Sequence, residues 1–134
     1  GFSFQRRSAD QPLADSTQVL LGDSMGEMFA YYAACDVAII GGSLLAFGAQ
    51  NLIEACAAGK PVIIGPHTYN FAEATQLAVD AGAALQVADA RAAMAAARAL
   101  WHDPERALRM AQAGIELTRR HQGATAKAID LIRF

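Results

Sequence analysis

One feature constrains this chain most: short runs of β-branched and leucine residues recur along the sequence, the later ones separated by alanine-rich stretches with helical spacing. The runs fall at Val19–Leu21, Val37–Ile40, Val62–Ile64 and Ala84–Val87, with Phe2–Phe4 as a further candidate. Apolar runs this short and continuous are strands buried on both faces, and helices alternating with them provide the cover. The expected fold is therefore α/β: a parallel sheet with flanking helices. The chain has 134 residues, 54% of them hydrophobic, which suits one domain, 1–134, with enough apolar material for a core.

Helix boundaries are marked by local chemistry. Ser24–Glu27, Asn51–Glu54 and Asn70–Glu73 each place a side-chain acceptor three residues ahead of a glutamate, the spacing of a capping box. Gly59 is placed to end the second helix before Lys60-Pro61. Asp89 caps a helix running to about Trp101. Asp103-Pro104 starts another that runs to about His121, where Gly123 breaks it ahead of a short terminal helix from Thr125 to Ile132.

In such a sheet, ligands bind beyond the carboxyl ends of the strands. Gly22–Glu27, Gly41–Glu54 and Gly65–Glu73 all follow strands, so they are expected on one edge of one sheet. Gly41-Gly42-Ser43 reads as a phosphate cradle, with backbone N–H groups, a hydroxyl donor and the positive end of the helix opening near Asn51, or else as an ordinary glycine-rich turn. Glu54 is either a cap or the acceptor for a ribose diol. His67 either donates to a phosphate or sugar carboxylate or bonds the backbone of its own loop. Leu44, Leu45 and Phe47 either face a second domain or fold back onto the sheet edge.

Other classes are disfavoured. The net charge is −2 and the basic residues are scattered, which speaks against nucleic-acid binding. The two cysteines, Cys35 and Cys56, read as buried reduced thiols in helices of a cytosolic protein. No His, Cys or acidic cluster has metal-ligand spacing, and neither a Walker loop nor a Gly-x-Ser-x-Gly elbow occurs. The apolar stretch Ala33–Ala49 is interrupted by Asp36, Gly41, Gly42 and Gly48, too often for a membrane span. The opening Gly1-Phe2-Ser3-Phe4 reads as an excised piece of something longer.

The run Val19-Leu-Leu-Gly-Asp-Ser-Met-Gly-Glu27, then Tyr31-Tyr-Ala-Ala-Cys-Asp-Val-Ala-Ile-Ile-Gly-Gly-Ser43, then Asn51-Leu-Ile-Glu-Ala55, then Gly59-Lys-Pro-Val-Ile-Ile-Gly-Pro-His-Thr-Tyr-Asn-Phe71 resembles the C-terminal domain of 3-deoxy-D-manno-octulosonic acid (Kdo) transferases. Phe2-Ser3-Phe4, Arg6-Arg7-Ser8, the Asp103-Pro104 helix and Gly123-Ala124 are similar as well, so the resemblance spans nearly the whole chain. It implies a Rossmann-like sheet, the C-terminal half of a GT-B glycosyltransferase, truncated at its N-terminus. It further implies a donor, CMP-Kdo, an acceptor, the lipid A precursor, bound by an N-terminal domain that is missing here, and no cofactor or metal. The implied place is the cytoplasmic face of the bacterial inner membrane, with membrane association mainly through the missing half.

Carried over residue by residue, the resemblance places Met25, Gly26 and Glu27 by the cytidine and Gly41, Gly42 and Ser43 by the phosphate. Asn51 and Glu54 fall in the phosphate–ribose region, and His67 and Asn70 in the cleft. No residue of this chain reads as the general base, which the resemblance assigns to the missing domain. Two departures stand out. Ala49-Gln50-Asn51 replaces a usual Gly-His-Asn, and the strand with a Pro-Arg-His motif that opens the domain is missing. The rival expectations are a GT-B enzyme using a UDP-sugar (MurG-like, or an epimerase) and a non-catalytic interaction domain of the same fold.

Overall fold

The computed structural model describes residues 1–121, which form two compact units, Gly1–Ala34 and Cys35 onward. The first contains strands β1 (Phe4–Arg6) and β2 (Val19–Leu21) and helix α1 (Met28–Ala34). β1 and β2 are parallel, with Phe4 opposite Val19 and Arg6 opposite Leu21. The connection between them carries no α-helix, only the single 3₁₀ turn Arg7–Ala9, and it is held by side chains instead. Gln5 accepts from the Ala14 N–H (2.8 Å) and the Thr17 hydroxyl, and its amide donates to the Pro12 carbonyl (3.2 Å). No residue of this unit is buried, and Phe4, Val19, Leu20 and Leu21 are all more than a third exposed. So few residues supply too little apolar area for a core of their own.

The second unit holds the core. Its strands β3 (Ala38–Ile40), β4 (Val62–Ile64) and β5 (Ala84–Gln86) form a parallel sheet in the order β3-β4-β5, with Ile40 opposite Ile64 and Ile64 opposite Gln86. Central β4 is wholly buried, as its unbroken Val-Ile-Ile run requires. Helices α2 (Ile53–Ala57), α3 (Ala72–Asp80), α4 (Ala90–His102) and α5 (Pro104–His121) accompany it. Ile63, Ala93, Leu100 and Met110 form the central apolar cluster, joining β4, α4 and α5. Gly114 lets α5 approach α2 closely, because a Cβ there would lie 3.1 Å from both Cα and the carbonyl oxygen of Cys56.

Several expected boundaries are found. Asp89 accepts from the Ala92 N–H (2.8 Å) and Asp103 from the Arg106 N–H (3.0 Å), so both cap as read. Gly59, at φ +67°, closes α2: its N–H bonds the Cys56 carbonyl and the Lys60 N–H bonds that of Ala55, the paired bonds of a Schellman motif. Gly82, at φ +75°, ends α3 in the same way through Val79 and Ala78.

Other expectations are corrected. The strands divide between two sheets, because β2 pairs with β1 and not with β3. The first strand is Phe4–Arg6, two residues later than read. Ser24 does not cap α1, which begins only at Met28, and its hydroxyl donates to the Glu27 carboxylate instead. Asn70 does not cap α3, because a 3₁₀ turn at Tyr69–Phe71 intervenes and the Asn70 side chain bonds elsewhere. Cys35 follows α1 and is half-buried, whereas Cys56 lies within α2 and is fully buried. The break at Gly123 and the helix at Thr125–Ile132 lie outside the described residues.

Candidate functional site

Each unit gathers polar groups at the carboxyl ends of its strands. In the first unit, the turn after β1 is tied to the segment after β2. The Ser8 N–H and hydroxyl both donate to the Asp23 carboxylate, at 2.9 and 2.7 Å. The Arg7 guanidinium reaches Glu27 at 2.9 Å and Asp10 at 3.1 Å. Ser24 bonds the second oxygen of Glu27, and its own oxygen lies 2.7 Å from the Tyr31 hydroxyl. The Ser24 hydroxyl, followed by the charge of Arg7, holds the Glu27 carboxyl below its ordinary range. The two bonds from Ser8 do the same for Asp23. Glu27 is thus fixed as a carboxylate beside Gly26, which takes φ +79°, and Met25, whose side chain is 97% exposed.

The resemblance named Met25, Gly26 and Glu27 but not Arg7, which bonds Glu27, or Tyr31, which meets Ser24 beside it. Gly22 is the sequence signal for Tyr31: a Cβ at position 22 would lie 2.8 Å from the tyrosine ring.

In the second unit, the segments after β3 and β4 lie against each other, because β3 and β4 are parallel neighbours. Gly41–Ser43 forms a 3₁₀ turn with Gly41 exposed and Gly42 half-exposed. The opening N–H groups of such a turn have no partner within it, which leaves them able to receive an anion. Ser43 behaves differently from its neighbours. It is fully buried, its hydroxyl donates to the Ile40 carbonyl (2.5 Å) and accepts from the Gly65 N–H (2.6 Å), and it is occupied within the protein. Gly65 is a glycine because a Cβ would fall 2.4 Å from the Ser43 carbonyl oxygen. The His67 N–H donates to that same carbonyl (3.0 Å), while its imidazole is on an exposed residue.

Asn51 and Glu54 stand together at the start of α2. The Asn51 side chain accepts from the Ile53 N–H (3.1 Å) and donates to Glu54 Oε1 (3.2 Å). This bond uses one carboxylate oxygen of two, so a local anchoring role and a ligand role are compatible in Glu54. With only five residues, α2 contributes a smaller dipole than its sequence position suggested. Asn70 lies on the same edge, its side-chain amide donating to the Phe47 carbonyl (3.3 Å).

The apolar loop residues divide: Leu44 packs against the core, whereas Leu45 and Phe47 are 62% and 69% exposed. A separate cavity of about 430 Å³, between α2, α3 and α5, is lined by Ile53, Ala57, Glu73, Ala74, Leu77, Leu117 and Thr118 and contains none of the expected site residues. Among the described residues, no group of three His, Cys, Asp or Glu side chains is placed to hold a metal ion.

Parallel strands with a glycine turn, an Asn–Glu pair and a polar loop beyond their carboxyl ends have the layout of an α/β domain of the Rossmann-like class. Residues 2–117 match the family of group 1 glycosyl transferases, and the chain belongs to that family. It is 51% identical over 134 residues to the 3-deoxy-D-manno-octulosonic acid transferase of Bordetella pertussis, and 39% identical over 133 residues to that of Haemophilus influenzae. In each case the match covers 98% of this chain but 31% of the relative, so the chain spans about a third of the length of these proteins. Among solved structures, it superposes on the C-terminal CMP-Kdo binding domain of WaaA from Acinetobacter baumannii with a TM-score of 0.82 and 31% identity, covering 87% of this chain and 61% of that one. The likeness bears out the expected fold, that of a GT-B C-terminal domain.

Proposed function

We propose that this chain is the donor-binding domain of an enzyme that moves Kdo from CMP-Kdo to a lipid A precursor in lipopolysaccharide biosynthesis. The observation that carries this reading is 51% identity, sustained along 98% of the chain, to a 3-deoxy-D-manno-octulosonic acid transferase. The transfer is a displacement at the anomeric carbon of Kdo: an acceptor hydroxyl attacks, its proton passes to a base outside this chain, and CMP leaves. This chain's task is to hold CMP and stabilise the charge growing on its phosphate, with no metal or cofactor. The backbone N–H groups at Gly41 and Gly42 suit that task because they are fixed before charge develops. Gln50 stands near them without a charge to contribute.

In this reading, Met25, Gly26 and the anchored Glu27 serve the cytidine, Asn51 and Glu54 the ribose–phosphate region, and His67 the cleft. The acceptor and the membrane are served by the remainder of the protein at the cytoplasmic face of the inner membrane. No helix of the described residues is long and apolar enough to cross a membrane.

The test is an amide NMR titration of the 134-residue chain with CMP, with UMP as control. Shifts at Gly41, Gly42 and Glu54 with CMP at lower concentration than with UMP are expected. Preference for UMP would assign the domain to a UDP-sugar enzyme, and a folded chain silent to both would leave an interaction domain.

A further inference from the structure

The loop from Leu44 to Gln50 joins the Gly41–Ser43 turn to Asn51 and Glu54, so its conformation sets the distance between the two groups assigned to the donor. Between Leu44 and Ala49, which pack inward, it has little apolar burial to hold it, since Leu45 and Phe47 are exposed. It is instead fastened by the 3₁₀ turn Tyr69–Phe71. The Tyr69 hydroxyl donates to the Ala46 carbonyl (2.9 Å), the Asn70 side chain to the Phe47 carbonyl (3.3 Å), and the Asn70 N–H to the Gly48 carbonyl (3.2 Å). These bonds grip three successive carbonyls.

The fit is close. Gly48 sits at φ +86° beneath Tyr69 and Asn70, and a Cβ there would lie 2.5 Å from the Tyr69 ring and 2.3 Å from the Asn70 amide nitrogen. The next residue, Ala49, is buried at φ +73°, a conformation that alanine adopts only when its surroundings impose it. Its N–H donates to the Gly42 carbonyl (3.1 Å), returning the loop to the glycine turn.

We propose that Tyr69 and Asn70 are positioning residues, a polar strap that fixes the 44–50 loop, and through it the Gly41–Gly42 turn and the Asn51–Glu54 pair, before the nucleotide arrives. The proposal rests on the donor-site reading above. It assigns Asn70 a role through the loop and gives Tyr69, which is 63% exposed, a role that its place on the surface conceals. A loop held in the binding geometry beforehand spares the nucleotide the cost of ordering it.

The experiment compares the unsubstituted chain with Tyr69→Phe, Asn70→Ala and the double variant by three readouts: CMP affinity, exchange of the Ala49 and Asn70 amides without ligand, and the thermal midpoint. Tyr69→Phe retains the ring over Gly48 and deletes only the bond to Ala46, and is expected to speed that exchange about three- to tenfold. The double variant releases the loop and is expected to bind CMP at least about tenfold more weakly, since apparent affinity scales with the fraction already in the binding-competent state. Its thermal midpoint should fall by no more than about 5 °C, the shift that a tenfold loss of the ordered loop implies for a domain of this size.

A residue that touched the nucleotide directly would weaken CMP without altering exchange in the free chain, and one that merely supported the fold would lower the midpoint and spare affinity. Either pattern overturns the proposal, as does an unchanged double variant. If the unsubstituted chain fails to respond to CMP, the donor-site reading fails first and takes the positioning role with it. Exchange data that still show the strap would mark that outcome as distinct from an absent strap.

Discussion

Replacing Ser43 by alanine separates its structural role from the ligand role expected of it. The side chain is fully buried, and its oxygen bridges the Ile40 carbonyl and the Gly65 N–H at 2.5 and 2.6 Å. Ser43→Ala keeps Cβ and removes one oxygen, so little volume is lost and the cost is mainly that of polar groups left unmatched. The Gly65 N–H is on a buried residue and loses its acceptor, for about 1–3 kcal/mol. The Ile40 carbonyl loses one donor, a smaller matter because under-satisfied carbonyls are better tolerated than orphaned N–H groups. A loss of about 2 kcal/mol is expected in urea unfolding followed by far-ultraviolet circular dichroism. With a slope of about 2 kcal/mol per molar, that places the midpoint about 1 M lower at unchanged slope. CMP affinity of the fraction that remains folded should change less than about threefold, because the hydroxyl's own proton is already donated inward. Stability within about 0.5 kcal/mol of the unsubstituted chain, together with a tenfold loss of CMP affinity, would refute the assignment and restore Ser43 as a direct phosphate donor.

Two further outcomes follow from the titrating groups. Glu27 has its folded-state pKa held below the ordinary value, first by the Ser24 hydroxyl and then by Arg7. Its contribution to stability is therefore complete above the unfolded carboxylate pKa and is lost as pH falls through the folded one. Ser24→Ala should move the Glu27 titration, followed by carboxyl carbon NMR, back toward its ordinary range, and a Glu27 that already titrates there in the unsubstituted chain would contradict the bond network. Burial pushes the Cys56 thiol up to about 11, so at pH 8 its thiolate fraction is about one in a thousand. Desolvation raises Cys35 as well, but that residue is only half-buried. Iodoacetamide should modify Cys35 first and reach Cys56 only on unfolding, as peptide mass mapping would show. Equal rates would mean that α2 opens readily from α5.

The elements that sequence alone located are those governed by short-range chemistry. Val62–Ile64 is strand because three consecutive branched apolar residues suit burial on both faces, and Asp89 and Asp103 cap because their carboxylates reach N–H groups three residues on. The sequence left undecided what long-range neighbours determine. Ser24-Met-Gly-Glu27 and Asn51-Leu-Ile-Glu54 have the same spacing, yet Ser24 bonds Glu27 and Tyr31 ahead of a helix that starts later, whereas Asn51 does reach a backbone N–H. The difference comes from Arg7 and Tyr31, which compete for the first pair and have no counterpart in the second spacing. The assignment of Val19–Leu21 to its own sheet was equally hidden, because pairing partners leave no mark in a strand's own composition.

The candidate site is a case of the same division. Its glycines were legible as places where backbone must come close, but which close approach each one serves was not. Gly65 is required by the Ser43 carbonyl and Gly48 by Tyr69 and Asn70, while Gly41 has open space where a side chain would be. Only the last is a surface that a ligand can occupy. The first two let protein loops cross, and in crossing they fix the turn to which Gly41 belongs. A Gly41→Ala substitution should therefore fold normally and test ligand approach alone, whereas the same change at Gly65 should unsettle the fold before it reports on any ligand. Glycine-rich loops of this kind divide into residues that meet the ligand and residues that allow the loop to be rigid, and the space around each Cα tells them apart.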